Sequence, residues 1–126
     1  MILYCASDLL WASKIKGAAD ALSIPCRPVR NSEMLTARLA DSDVRALIVD
    51  LEAGETALAL ITQLREHQDG RQTTSPSPRI LAFGPHVAKD RLQAAREAGA
   101  DAVYTRGAFA DRLPELLTAL STGARV

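Results

Sequence analysis

Asp50 directly follows the apolar run Ala46-Leu47-Ile48-Val49, and Arg106 follows Ala102-Val103-Tyr104-Thr105. A carboxylate and a guanidinium placed at the ends of two buried strands have the chemistry to recognise a small ligand or a partner side chain. The competing reading is a solvated strand-end ion pair between Asp50 and Arg106. Ser7 and Asp8 follow a further apolar run, Ile2-Leu3-Tyr4-Cys5-Ala6, and Gly84 follows Ile80-Leu81-Ala82-Phe83. Other reactive residue types form no pattern. His67 and His86 lack the cysteine or carboxylate spacing of a metal site. His86, in Gly84-Pro85-His86, borders the same strand ends and reads as an exposed loop residue. Cys5 and Cys26 have no metal-like spacing and read as small buried residues. The P-loop and dinucleotide glycine patterns are absent, and no serine sits in a nucleophile elbow. The turn Ser7-Asp8-Leu9-Leu10-Trp11 has few of the small hydroxyl residues a flavin phosphate would need.

The elements that carry these residues alternate in a regular way. Strand-length apolar runs at Ile2–Ala6, Pro25–Arg30, Val44–Asp50, Ile80–Phe83 and Ala102–Thr105 are separated by segments of helical period. That alternation predicts a doubly wound α/β domain of the flavodoxin-like kind, a parallel (βα)5 sandwich. The first helix, capped by Ser7 or Asp8, turns Trp11, Ile15, Ala18 and Leu22 inward and ends near Ser23. Asn31 or Ser32 caps the second, which buries Leu35 and Leu39. The third runs from about Glu55 to His67 on Ala57, Leu60, Ile61 and Leu64. The fourth, from about Ala88 to Ala98, turns Leu92 and Ala95 inward and stops at Gly99. The last starts at Asp111 and buries Leu113, Leu116, Leu117 and Leu120, with Pro114 in its first turn. Pro25 and Pro28 deny the second strand a ladder on both sides, which puts it at an edge and favours the strand order 2-1-3-4-5. In that order Cys5 and Cys26 lie at opposite ends of neighbouring parallel strands, which argues against a disulfide. Residues 68–78 form a long surface loop.

With 126 residues the chain is expected to be one domain, 1–126. Fifteen basic and fifteen acidic residues leave no net field to attract nucleic acid or an anionic membrane, and the arginines form no basic stripe. No apolar run is long enough to span a bilayer, and the opening residues lack the basic segment of a signal peptide, so a cytoplasmic protein is expected. In an open parallel sheet, function collects outside the carboxyl ends of the strands where the strand order reverses. That rule gathers Ser7, Asp8, Asp50, Gly84 and Arg106 into one crevice.

Val44-Arg45-Ala46-Leu47-Ile48-Val49-Asp50-Leu51 and Ala98-Gly99-Ala100-Asp101-Ala102, in this order and spacing, resemble the receiver domains of bacterial response regulators. The resemblance covers essentially the whole chain. It implies that Asp50 holds the phosphoacceptor position. It also puts Ala6 and Ser7 where the family has the acidic pair that binds magnesium, Gly84 where it has a hydroxyl residue, and Arg106 where it has a lysine. Gly107 stands for the proline after that lysine, Ala53-Gly54 for a Met-Pro pair, and Val103 for the switch aromatic, with Tyr104 next along. Phosphoryl transfer depends on positioning and charge, and arginine does not replace lysine at a tight phosphoryl site. The pattern therefore implies a pseudo-receiver, without enzymatic activity or cofactor, that signals by protein contact independently of phosphorylation. Its expected interface is the face of the fourth helix, fifth strand and fifth helix, with Arg91, Tyr104 and Arg112 as contacts and a homodimer as one outcome. Two alternatives stand beside it. One is a phosphorelay acceptor using Asp8 and Asp50 with magnesium. The other is a small-anion sensor using Arg106.

Overall fold

The computed structural model describes residues 1–69 and 77–123. Five strands form one parallel sheet: β1 (Ile2–Cys5), β2 (Cys26–Pro28), β3 (Ala46–Asp50), β4 (Arg79–Gly84) and β5 (Ala102–Thr105). Their order is β2-β1-β3-β4-β5, as the alternation and the prolines predict. β2 is short and lies at an edge, paired to β1 from Ile2↔Cys26 to Tyr4↔Pro28. That register holds Cys5 and Cys26 at opposite strand ends, and both are free and buried. The long loop expected over residues 68–78 falls largely outside the described residues.

Side chains alternate across the sheet, so each strand feeds two cores. On one face Ile2, Tyr4, Ile48, Leu81 and Phe83 meet Trp11 and Ile15 of α1 (Leu9–Ala21), Phe109 of α5 (Arg106–Asp111), and Leu113, Leu116, Leu117 and Leu120 of α6 (Leu113–Thr122). On the other, Leu3, Leu47, Val49, Ile80 and Ala82 meet Leu35 of α2 (Ser32–Asp41), Leu60, Ile61 and Leu64 of α3 (Glu55–Asp69), and Ala95 of α4 (Lys89–Ala98). β3 and β4 are buried on both faces, which is why they read as continuous apolar runs.

Local chemistry sets the helix ends. Asp8 Oδ1 accepts from Trp11 N at 2.9 Å and Asn31 Oδ1 accepts from Met34 N at 2.8 Å, each satisfying a first-turn donor. α1 stops at Ala21, so Leu22 is a half-exposed cap residue and Ala19 takes the inward place predicted for it. The final helix, expected from Asp111, is two helices. Thr105 Oγ1 accepts from Ala108 N and starts α5 directly after β5, and a break at Arg112 separates α5 from α6. Phe109, in this short helix, is fully buried and stacks on Phe83 at 4.2 Å with the rings 3° from parallel.

The segment Ala98-Gly99-Ala100-Asp101 has a physical purpose. Gly99 has φ +117, and a Cβ there would lie 2.8 Å from Arg65 Cγ, so the position requires glycine twice over. Arg65 donates to Gly99 O at 2.7 Å and pairs with Asp101 at 2.7 Å, while Asp101 Oδ2 accepts from Ile80 N at 2.7 Å. This knot fixes where β5 begins beside β4. Among the described residues no helix is long and apolar enough to cross a membrane.

Candidate functional site

The carboxyl edge of the sheet brings together the turn after β1, the end of β3, the end of β4 and the start of α5. Asp50 is the centre of this group and is fully buried. Its Oδ2 accepts from Ser7 N at 3.1 Å and from the Ser7 hydroxyl, and its Oδ1 accepts from Glu52 N at 3.0 Å. The last bond opens a single 3-10 turn, Leu51–Ala53, that leads out of β3. Asp50 is therefore neither solvated nor paired with Arg106, contrary to the ion-pair expectation. The reason is the closeness of β1 and β3: their pairing, Cys5↔Val49, carries the Ser7 turn over the end of β3. Burial raises the pKa of the neighbouring Cys5 thiol, and the negative charge of Asp50 adds to that effect.

The other expected members of the crevice behave differently. Asp8 is exposed and its Oδ1 caps α1. The magnesium alternative needed its oxygens to converge with those of Asp50. Among the described residues, no group of three or more His, Cys, Asp or Glu side chains is placed to hold a metal ion. Gly84 is buried, and a Cβ there would lie 3.3 Å from Leu51 Cβ, so Leu51 fills the room a hydroxyl side chain would need. Arg106 is not in β5; it is the first residue of α5, and its Nη2 lies 3.7 Å from Glu52 Oε1. Arg91 Nη1 approaches the same oxygen at 3.8 Å. Glu52, which sequence reading passed over, thus ties α4 and α5 to the turn after β3. The signal was available: Glu52 is an acid two residues beyond Asp50, at the strand edge where function collects.

The expected contact residues have different partners. Arg91 belongs to the Glu52 cluster at the carboxyl edge. Tyr104 and Arg112 lie together, with Arg112 Nη1 donating to Tyr104 Oη at 3.3 Å and the guanidinium 5.6 Å from the ring centre. Tyr104 packs on the α1/α5/α6 side and Val103 on the α4 side. One residue along a strand reverses the face, so Tyr104 does not stand where a switch aromatic on the α4 side would. Three exposed apolar side chains, Leu9, Leu10 and Val87, ring the same edge and were not anticipated. His86 is exposed in the loop after β4, as expected.

The sheet order and the two cores define a doubly wound, flavodoxin-like fold. No family model matches the sequence, and no curated protein does. Solved structures match along nearly the whole chain. A response regulator from Thermotoga maritima is 19% identical with a TM-score of 0.73, and the match covers 96% of each chain. The isolated REC domain of RcsB from Salmonella enterica serovar Typhimurium is 20% identical with a TM-score of 0.71, over 99% of this chain and 90% of that one. NtrX from Brucella abortus is 16% identical with a TM-score of 0.76, and this chain spans 26% of its length. The chain thus has the fold of response-regulator receiver domains.

Proposed function

We propose that this chain is a receiver-fold signalling module that acts by protein contact and without phosphorylation. The observation that carries this reading is the state of Asp50, a fully buried carboxylate whose two oxygens accept three hydrogen bonds from Ser7 and Glu52. A phosphoacceptor must offer a lone pair in line with the incoming phosphorus, beside a cation that offsets charge. Ser7 stands where the resemblance places an acidic ligand, and it binds the oxygen that would attack. The carboxylate then works as a clasp between the β1 turn and the β3 turn. The partly buried Tyr104 and the exposed Arg112 on the β5 and α5 side, a cation resting on an aromatic ring, have the residue types enriched in protein interfaces.

The test is to add magnesium with beryllofluoride, an analogue of the phosphoryl group, and follow backbone amide resonances. The expected result is no saturable change through β4 and β5. Saturable shifts centred on Asp50 would establish the phosphoacceptor alternative instead. Sedimentation of the wild type and of Tyr104→Ala/Arg112→Glu then asks whether this face joins two copies. A dimer that survives the double substitution would remove the face from the proposal.

A further inference from the structure

Arg91 and Arg106 reach Glu52 from two different helices, yet both distances, 3.7 and 3.8 Å, exceed hydrogen-bond range. Glu52 therefore offsets charge without satisfying the donors. Arg106 Nε is buried and has no hydrogen-bond partner. Each guanidinium carries five N–H groups in a rigid fork that suits oxyanions, and both forks here converge on a single oxygen of Glu52. Beside them a cleft of about 500 Å³ opens to solvent, lined by Glu52, Pro85, Val87, Lys89, Asp90 and Arg91. Its cations are Lys89 and Arg91, with Arg106 reaching Glu52 at one wall; its anions are Glu52 and Asp90. Asp50 does not compete for these arginines, because its oxygens are held by Ser7 and Glu52 N.

We propose that Arg91 and Arg106 form a binding site for a small oxyanion, and that Glu52 occupies this site from within the chain until an external anion displaces it. Glu52 is the middle residue of the short turn Leu51–Ala53 and its half-exposed side chain already lines the cleft, whereas the arginines are rooted in α4 and α5. An oxyanion with three or four oxygens can accept from the terminal N–H groups of both forks at once, taking the place of the single Glu52 oxygen on which they converge. Displacement would release the tie between the β3 turn and the two helices, giving the crevice a ligand-dependent state that involves neither Asp50 nor a metal.

The probe is inorganic phosphate, titrated without magnesium at constant ionic strength while the arginine Nε–Hε resonances are followed. In the wild type, saturable shifts are expected at Arg91 and Arg106. Glu52→Gln removes the internal competitor, and the loss of two partly exposed ion pairs corresponds to about a tenfold tighter midpoint. Arg106→Gln should abolish saturation. Equal midpoints in wild type and Glu52→Gln would overturn the proposal, as would saturation that persists in Arg106→Gln or that chloride reproduces. Should Glu52→Gln not fold, the comparison of wild type with Arg106→Gln decides. Failure here leaves the protein-contact reading standing, because that reading fails only on a response to magnesium with beryllofluoride or on the behaviour of the Tyr104–Arg112 face.

Discussion

Replacing Ser7 with aspartate should turn the clasp into a repulsive pair. The Ser7 hydroxyl donates to Asp50 Oδ2, so a carboxylate at position 7 would face that oxygen at close range. Two like charges about 4 Å apart repel by about 4 kcal/mol at an effective permittivity of about 20. Losing a hydrogen bond to a charged acceptor costs a further ~1.5–3 kcal/mol. Residue 7 is exposed, so solvent screens the repulsion and the new side chain can turn partly away. The net loss of unfolding free energy in Ser7→Asp is expected to be about 3–4 kcal/mol after that discount. The same substitution supplies the oxygen ligands a hard divalent ion requires. Magnesium should therefore restore part of the loss, about 1.4 kcal/mol for each tenfold excess over its dissociation constant, and should leave the wild type unchanged. Urea denaturation of both proteins with and without magnesium chloride measures all four numbers. A Ser7→Asp protein as stable as the wild type, with no response to magnesium, would show that Ser7 and Asp50 do not meet as described.

Two further outcomes follow from packing and burial. Phe109→Ala removes a fully buried ring stacked on Phe83 and should cost about 3–5 kcal/mol by thermal denaturation; a loss under about 1 kcal/mol would mean that α5 does not seal this core. Burial pushes the Cys26 thiol from 9.0 up to about 11, so the unfolded chain loses its proton first. The stability this thiol contributes is full below pH 9 and is lost as the pH rises toward 11, a fall of about 2–3 kcal/mol at ~1.36 kcal/mol per unit. Cys5 and Tyr4 are shifted in the same direction, so Cys26→Ala should flatten the alkaline slope without abolishing it. Superimposable slopes in the two proteins would refute the assignment.

The layout of the sheet was legible because burial on both faces leaves a plain mark: Ala46-Leu47-Ile48-Val49 and Ile80-Leu81-Ala82-Phe83 have no polar residue to interrupt them. The edge position of β2 was legible from its prolines, a covalent constraint that context cannot override. The start of α5 was not, since a threonine followed by Arg106-Gly107 carries no strong helix signal, and only the hydroxyl of Thr105 reveals its capping role. The surroundings of Asp50 were hidden for a different reason. A polar residue at a strand end reads as solvated, and its burial depends on Ser7, 43 residues away in the chain. Glu52 was overlooked on the same ground: its partners Arg91 and Arg106 come from two other helices, and nothing local to the turn announces them.

Trp11, the one tryptophan in the sequence, lies 4.8 Å from the ring of Phe83 and 5.8 Å from that of Phe109. The protein therefore carries an optical gauge of one side of its sheet only. Tryptophan emission will follow the loosening of α1, α5 and α6, while α2, α3 and α4 can fray unseen. Emission and far-ultraviolet dichroism recorded on the same sample would reveal whether the two halves of the sandwich come apart in one step or in sequence.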